Sequence, residues 1–432
     1  MEVTMSPINR RTFLGAGGAT LLAGALAGCG SGSGSGSANS LRVSWYGGQP
    51  AHEAVEGALT AFSDEEPDLD IATEKMAFGD FWDKLATEVA GGQGPDVLRM
   101  SMTYFAEYAD RGVLLDLSDY VGDQIDISAL DDDVADSGAF NDGLYGVGQS
   151  SITHATFRNT QLVQEHGLEL PTQWSWDDFR GFCEEFAEAA GSGKYGSTDA
   201  GGDLQVFEVW ARQHGTDLFD EHGLAVDADV IEEWLVMWQE LREAGAVPAP
   251  DVSAESDSFE TSQLAQLNAA ITFGWVQQVA FFQPVIPDHP LEVAAVPGLT
   301  AGSLDGQFVK ALDFWCITSE SSNQDAAAEL VDFFLNDERA INSIGLTLGV
   351  PPSASSRELL GLDPESAEGR AVAFVDEITD QVGPSPQAWP TGYGELQGTA
   401  FPRLNQDVGF GDATPAAAAA QFVEEAGRVL GS

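Results

Sequence analysis

The chain has 432 residues, and 69 acidic against 18 basic side chains leave a formal charge of −51. A surface that negative repels nucleic acid and anionic lipid, so neither is an expected partner surface. Three cysteines exclude a disulfide framework, and a hydrophobic share of 43% supports a packed body of two or three domains.

The first elements are processing signals. Arg10 and Arg11 precede a weakly apolar run from Gly15 to Ala27, which ends in Gly28-Cys29. A charged pair, a short apolar segment and a small-residue exit read as a secretory signal over residues 1–28; the run is too short and too rich in Gly and Ala to span a membrane. Arg10-Arg11 before Phe13-Leu14 is similar to the twin-arginine export signal. Leu26-Ala27-Gly28-Cys29 resembles a lipobox, which would leave Cys29 lipidated at the new N-terminus. Gly30 to Ser37 alternates Gly and Ser, so residues 29–40 read as an anchor and a flexible tether. The expected location is the outer face of the cytoplasmic membrane, held by lipid. The lysines are only Lys75, Lys84, Lys194 and Lys310. Acidic excess with scarce lysine suits a salt-loving source, because molar salt shortens the screening length to about 3 Å.

The body opens with a strand at Leu41–Tyr46 running into Gly47-Gly48. Val55, Ala58, Leu59 and Phe62 have helical spacing within 52–62, and Leu69–Thr73 alternates as a second strand. Asp80 is placed to N-cap a helix with Phe81, Leu85 and Val89 on one face. Asp96–Met100 is a third strand, and Thr103–Asp110 a helix that stops at Gly112. This alternation predicts a mainly parallel α/β sheet. After an acidic, loop-rich stretch over 118–142, order resumes at Gly143–Val147 and a strand at Ser151–Phe157. Ser175 caps a helix through Ala190, and helices follow near 203–214 and 227–244. Residues 262–282 hold a short helix, a strand at Ala269–Phe273 and then Gly274-Trp275. Strands at Leu291–Val296 and Lys310–Ile317 precede helices at Gln324–Leu335, Arg370–Thr379 and Ala416–Leu430. Cys183 falls on the stripe Phe179, Phe182, Phe186, and Trp234 and Trp238 are at helical spacing, so all are assigned to core.

No motif demands a cofactor. Gly191–Gly196 matches G-x-G-x-x-G but follows a helix, so it reads as a loop. Six histidines lack metal-ligand spacing, there is no G-x-S-x-G elbow, and Asp131-Asp132-Asp133 reads as a solvated run. In so acidic a chain, a carboxylate pair says nothing about glycosidase chemistry. Aromatics do concentrate at strand ends and in loops: Trp45-Tyr46, Phe81-Trp82, Tyr104, Trp275, Phe314-Trp315, Trp389 and Tyr393. A ring face beside polar groups suits a sugar, which has flat C–H faces and a hydroxyl rim.

Phe81–Leu85 before Gly94–Val97, Tyr108–Leu117, Gly143–Val147 with Phe157–Asn159, Gly167-Leu168 with Pro171–Phe179, Ala326–Leu335 and Gly349–Pro351 come in an informative order. In that order, over nearly all of 41–430, the chain resembles the family-1 extracellular solute-binding proteins of ABC importers, the maltose-binding-like group. It departs from the family's usual pattern at Asn268 and at Gly148. The resemblance implies a periplasmic-binding-protein-like α/β fold, two lobes joined by hinge strands with a ligand cleft between them. Lobe one is expected over 41–150 plus 309–360, and lobe two over 153–307 plus 362–432. Implied partners are a carbohydrate ligand and the transmembrane subunits of a permease; the protein is expected to be a monomer and no enzyme. The ligand-binding residues implied are Trp45, Tyr46, Gln49 and Glu53, then Asp80, Phe81, Asp96, Ser101 and Tyr104. Gln149 and Ser150 follow at the first hinge, then Trp275, Gln277, Asp313 and Trp315, and finally Trp389, Tyr393 and Glu395. Two alternatives stay open: a secreted glycoside-active enzyme, and the same fold binding glycerol phosphate, a polyamine or a metal chelate.

Overall fold

The computed structural model describes residues 39–256 and 258–431; Arg10, Arg11, Cys29 and the Gly/Ser tract to Ser37 lie outside them. The strands, in chain order, are β1 (Ser40–Tyr46), β2 (Asp70–Met76), β3 (Val97–Ser101), β4 (Ala139–Phe140), β5 (Gly143–Leu144) and β6 (Val147–Gly148). They continue with β7 (His154–Asn159), β8 (Tyr195–Ser197), β9 (Phe219–Asp220), β10 (Gly223–Leu224), β11 (Ala269–Trp275), β12 (Leu291–Ala294) and β13 (Asp313–Ile317).

Two sheets frame two lobes. The first has five strands in the order β2-β1-β3-β13-β6. β1 pairs in parallel with β2 and β3, whereas β13 is antiparallel to both β3 and β6, so the sheet is mixed rather than mainly parallel. The reason is that β13 arrives late in the chain, from the other lobe, and no crossover helix precedes it. The second sheet has the order β12-β7-β11-β8; only β8 runs parallel to its neighbour.

Strand alternation sets what each face buries. In β1, Val43 and Trp45 point into a core built with Trp315, Phe334 and the helices Gln49–Glu65 and Gln324–Asn336. Ala54, Val55, Ala58, Leu59 and Phe62 form the buried stripe of the first of these helices. In the second lobe, Trp176, Phe179, Trp210, Trp234, Trp238 and Phe273 make an aromatic core with edge-to-face pairs such as Trp176 and Trp234 at 5.5 Å. Its helix Trp176–Ala190 starts with a capping box: Ser175 Oγ accepts from Asp178 N, and Asp178 Oδ2 accepts from Ser175 N at 2.9 Å. Cys183 is buried and free.

The chain passes between the sheets three times, and backbone bonds knit the passages together. Ile152 N donates to Lys310 O at 2.9 Å, Lys310 N to Ile152 O at 3.0 Å, and Ser151 N to Val350 O at 2.7 Å. Arg357 then ties the neighbourhood. It donates to Asp131 Oδ2 and to Pro351 O, both at 2.9 Å, and to Asp376 Oδ1 at 2.7 Å. Lys310–Leu312 are thus passage rather than strand, and β13 begins only at Asp313. Likewise β7 begins at His154, because Ser151 and Ile152 bridge to the other passages.

Other boundaries move for local reasons. The helix expected from Asp80 starts at Phe78, with Ala77 as N-cap; Asp80 lies in its first turn, where a carboxylate meets the positive end of the helix. Between 262 and 282 the helical turns follow β11, at Val276–Phe282, instead of preceding it. Helices at Thr160–Glu165, Glu338–Ile344 and Phe401–Phe410 were not legible as separate elements. No helix among the described residues is long and apolar enough to cross a membrane.

Candidate functional site

The C-terminal ends of β1, β2 and β3 and the start of β13 lie on one edge of the first sheet. Tyr46, Ser101 and Asp313 meet there. Arg99 Nη2 donates to Asp313 Oδ2 at 2.7 Å and Nη1 to Tyr46 O at 3.0 Å, while the Tyr46 hydroxyl donates to Asp313 Oδ1. The guanidinium carbon also sits 4.5 Å over the Tyr46 ring. With its amide oxygen turned toward Arg99, Gln149 accepts from Nε at 3.0 Å and Nη2 at 3.2 Å. Burial pushes the Asp313 carboxyl up, to about 8, and draws the Arg99 guanidinium down, to about 9. Their mutual contact at 2.7 Å favours the charged form of each and so opposes both changes.

An aromatic ledge extends from this network. Phe78, 45% exposed, lies edge-on to Tyr46 at 5.0 Å and to Trp82 at 5.6 Å. Trp82 and the half-buried Tyr104 are 4.2 Å apart. The second lobe comes to meet this ledge through Gly394: a methyl group there would stand 3.2 Å from Thr103 Cγ2 and 3.7 Å from Tyr104 Cε1.

Facing it in the second lobe is a buried polar and aromatic cluster. Trp275, at the end of β11, stacks on His154 at 3.8 Å and donates its indole N–H to Gln205 Oε1 at 3.1 Å. His154 is buried and its imidazole is pushed down to about 3, by desolvation and then by the Lys310 charge, so it is neutral at ordinary pH. Trp389 stacks on Tyr393 at 4.0 Å and donates to both Glu208 oxygens, at 3.2 and 3.3 Å. Burial pushes the Tyr393 hydroxyl well up. Among the described residues no group of three or more His, Cys, Asp or Glu is arranged to hold a metal.

Several of the residues expected to bind ligand fall on this boundary. Tyr46, Ser101, Tyr104, Gln149 and Asp313 lie on the first lobe's side, with Trp275, Gln277, Trp389, Tyr393 and Glu395 on the other. Ser101 is engaged as N-cap, accepting from Thr103 N at 3.3 Å. Gln277 is half-buried with its Oε1 unbonded, and Glu395 and Asp80 are exposed. Ser150 is buried in the first passage against Gly349, its hydroxyl without a partner among the described residues. Four expectations are corrected. Trp45 and Trp315 point into the first lobe's own core, Trp315 stacking on Phe334 at 4.3 Å. Phe81 packs beneath the ledge, 1% exposed, and it is Phe78 that reaches the surface. Asp96 lies at the opposite end of β3, where it accepts from Arg42 N at 2.7 Å and from Ser321 Oγ at 2.6 Å. Gln49 and Glu53 are exposed and bonded to each other at 2.7 Å.

A model of the bacterial extracellular solute-binding proteins matches residues 47–341. The chain belongs to that family. Among solved structures, this solute-binding protein is similar to an extracellular solute-binding protein family 1 member from Alicyclobacillus acidocaldarius. The two are 29% identical with a TM-score of 0.72, over 91% of this chain and 98% of that one. At 21% identity and a TM-score of 0.77 it shares its fold with an oligogalacturonide-binding protein from Yersinia enterocolitica, solved with saturated digalacturonic acid (91% and 98% covered). Among curated sequences it is 23% identical to an uncharacterized lipoprotein from Streptomyces antibioticus, over 75% of this chain and 72% of that one. It is also 26% identical to an arabinooligosaccharide-binding protein of Halalkalibacterium halodurans, over 39% and 38%.

The residues that sequence reading passed over are Phe78, Arg99, His154, Gln205, Glu208 and Lys310. A signal existed for two of them. Arg99 is a lone cation within the buried strand Val97–Ser101, and Glu208 a lone acid on the buried face of the helix Leu204–Gln213.

Proposed function

We propose that this solute-binding protein captures an oligosaccharide between its lobes and hands it to an ABC permease, without transforming it. The observation that carries the reading is the ledge Phe78–Trp82–Tyr104, met across the lobe boundary by the segment around Gly394. Stacked rings next to a buried Arg99–Asp313 pair, with the carboxylates of Asp80 and Glu395 on the adjoining segments, offer what a sugar needs: flat apolar faces and hydroxyl partners. The curated relative from Halalkalibacterium and the Yersinia structure carry names that fit this chemistry.

In this reading lobe one comprises 41–150 plus 309–360 and lobe two 153–307 plus 362–432. Closure about the three passages brings the half-sites together, and ligand shifts the population toward the closed state because it contacts both. Cys29 carries lipid, Arg10 and Arg11 direct export, and the body works as a monomer on the outer membrane face, in salt. The test is a thermal-shift screen in molar KCl over arabinotriose, cycloalternan, saturated digalacturonic acid, glucose, glycerol phosphate and spermidine, with an assay for new reducing ends. A melting rise with an oligosaccharide and no turnover supports the proposal. New reducing ends would make the protein an enzyme, and a rise only with glycerol phosphate or a polyamine would change the ligand class.

A further inference from the structure

The Trp389 indole has no free face. Tyr393 covers one side, its ring 4.0 Å away and 13° from parallel. The Lys310 ammonium lies 3.9 Å from the Trp389 centroid, and with the first face taken it occupies the second. Phe308 closes the cage at 5.0 Å. Glu208 Oε2 stands 3.7 Å from Nζ, beyond hydrogen-bond reach, and no acceptor bonds the ammonium among the described residues. Lys310 and Glu208 are 0% and 1% exposed. An ammonium with three donors and none used is held by charge and by the ring alone. Its backbone, in contrast, is fixed by both bonds to Ile152.

We propose that Lys310 is a tethered occupant of a saccharide subsite. A sugar ring takes its place on Trp389, the ammonium moves out to water, and Glu208 then accepts hydroxyls at the rim of the ring. The inference rests on the carbohydrate reading above and deepens it by naming a subsite and its exchangeable plug. A C–H face for the indole and vicinal hydroxyls for the carboxylate are the chemistry such a pair selects.

Displacement has a proton signature. The charged or titratable groups facing the ammonium are Glu208 and Arg212 on the helix Leu204–Gln213 and His154 on β7, with Tyr393 on the far side of the indole. His154 stays neutral and the Tyr393 hydroxyl stays protonated between pH 7 and 9. Burial draws Lys310 down to about 8, whereas a lysine in water titrates near 10.4. The complex, with Lys310 in water, therefore holds more protons than the free protein. Binding is favoured at low pH and weakens as pH rises, by about tenfold from pH 7 to 9.

Isothermal titration in two buffers of different ionisation heat tests this, using arabinotriose, cycloalternan and saturated digalacturonic acid. The native protein is expected to take up about one proton per ligand at pH 9 and close to none at pH 7. Lys310→Met is expected to bind with no uptake at either pH and with equal affinity at both. If that variant does not fold, the two titrations of the native protein decide alone. Binding at pH 9 without proton uptake would overturn the plug while leaving the carbohydrate reading intact. A native protein that binds none of the three sugars would overturn both.

Discussion

At the scale of residues, the boundary between the lobes is held by buried charges paired with groups of opposite sign, Arg99 with Asp313 and Arg357 with Asp131 and Asp376. Asp313→Asn keeps one accepting oxygen but removes the negative charge that faces Arg99 in a site both share at low exposure. Leaving a buried guanidinium unpaired costs about 3–5 kcal/mol, and thermal unfolding should show the loss as a clear fall in melting temperature. Trp275→Ala should also lower the melting temperature, by the cost of a large core truncation of about 3–5 kcal/mol, because its ring is buried against His154. An unchanged melting curve would mean that the ring is freely released when the lobes part. What the sequence made legible at this scale was residue type at strand ends. What it hid was which side each residue faces. Trp45 and Tyr46 are neighbours, so strand alternation sends one into the core and one to the lobe boundary, and nothing in the pair says which. Asp96 immediately precedes β3 and Ser101 ends it, but only the register with β13 reveals that Ser101 lies at the functional edge.

At the scale of elements, long periodic segments were readable and short irregular ones were not. The helix at 49–65 and the helix capped by Ser175 follow from apolar spacing and cap chemistry. Ser175→Ala should remove the half of the capping box made by the hydroxyl, leave the backbone N–H bond to Asp178, and cost about 1 kcal/mol, measurable in chemical denaturation. The passages between the lobes carry no period, since each is a few residues satisfied by another passage distant in sequence. The segment around Gly394 belongs to the same class. Gly394→Leu places a side chain where a single methyl already comes within 3.2 Å of Thr103. It should hold the lobes apart and weaken sugar binding at least tenfold, as read by calorimetry, while leaving the ligand-free melting temperature within a degree or two. Unaltered affinity would show that this contact is absent from the bound state.

At the scale of the whole molecule, charge and architecture make separate claims. With −51 formal charges, the compact state is strained by self-repulsion that salt relieves. The melting temperature should rise steeply from low to molar KCl, and a flat response would remove the halophilic reading without touching the fold. The architecture makes the central claim: two α/β lobes, each with half a site, close around an oligosaccharide. Small-angle X-ray scattering in molar KCl, with and without the sugar that raises the melting temperature most, tests it directly. A smaller radius of gyration in the bound form is predicted, and identical scattering curves at saturating sugar would contradict it.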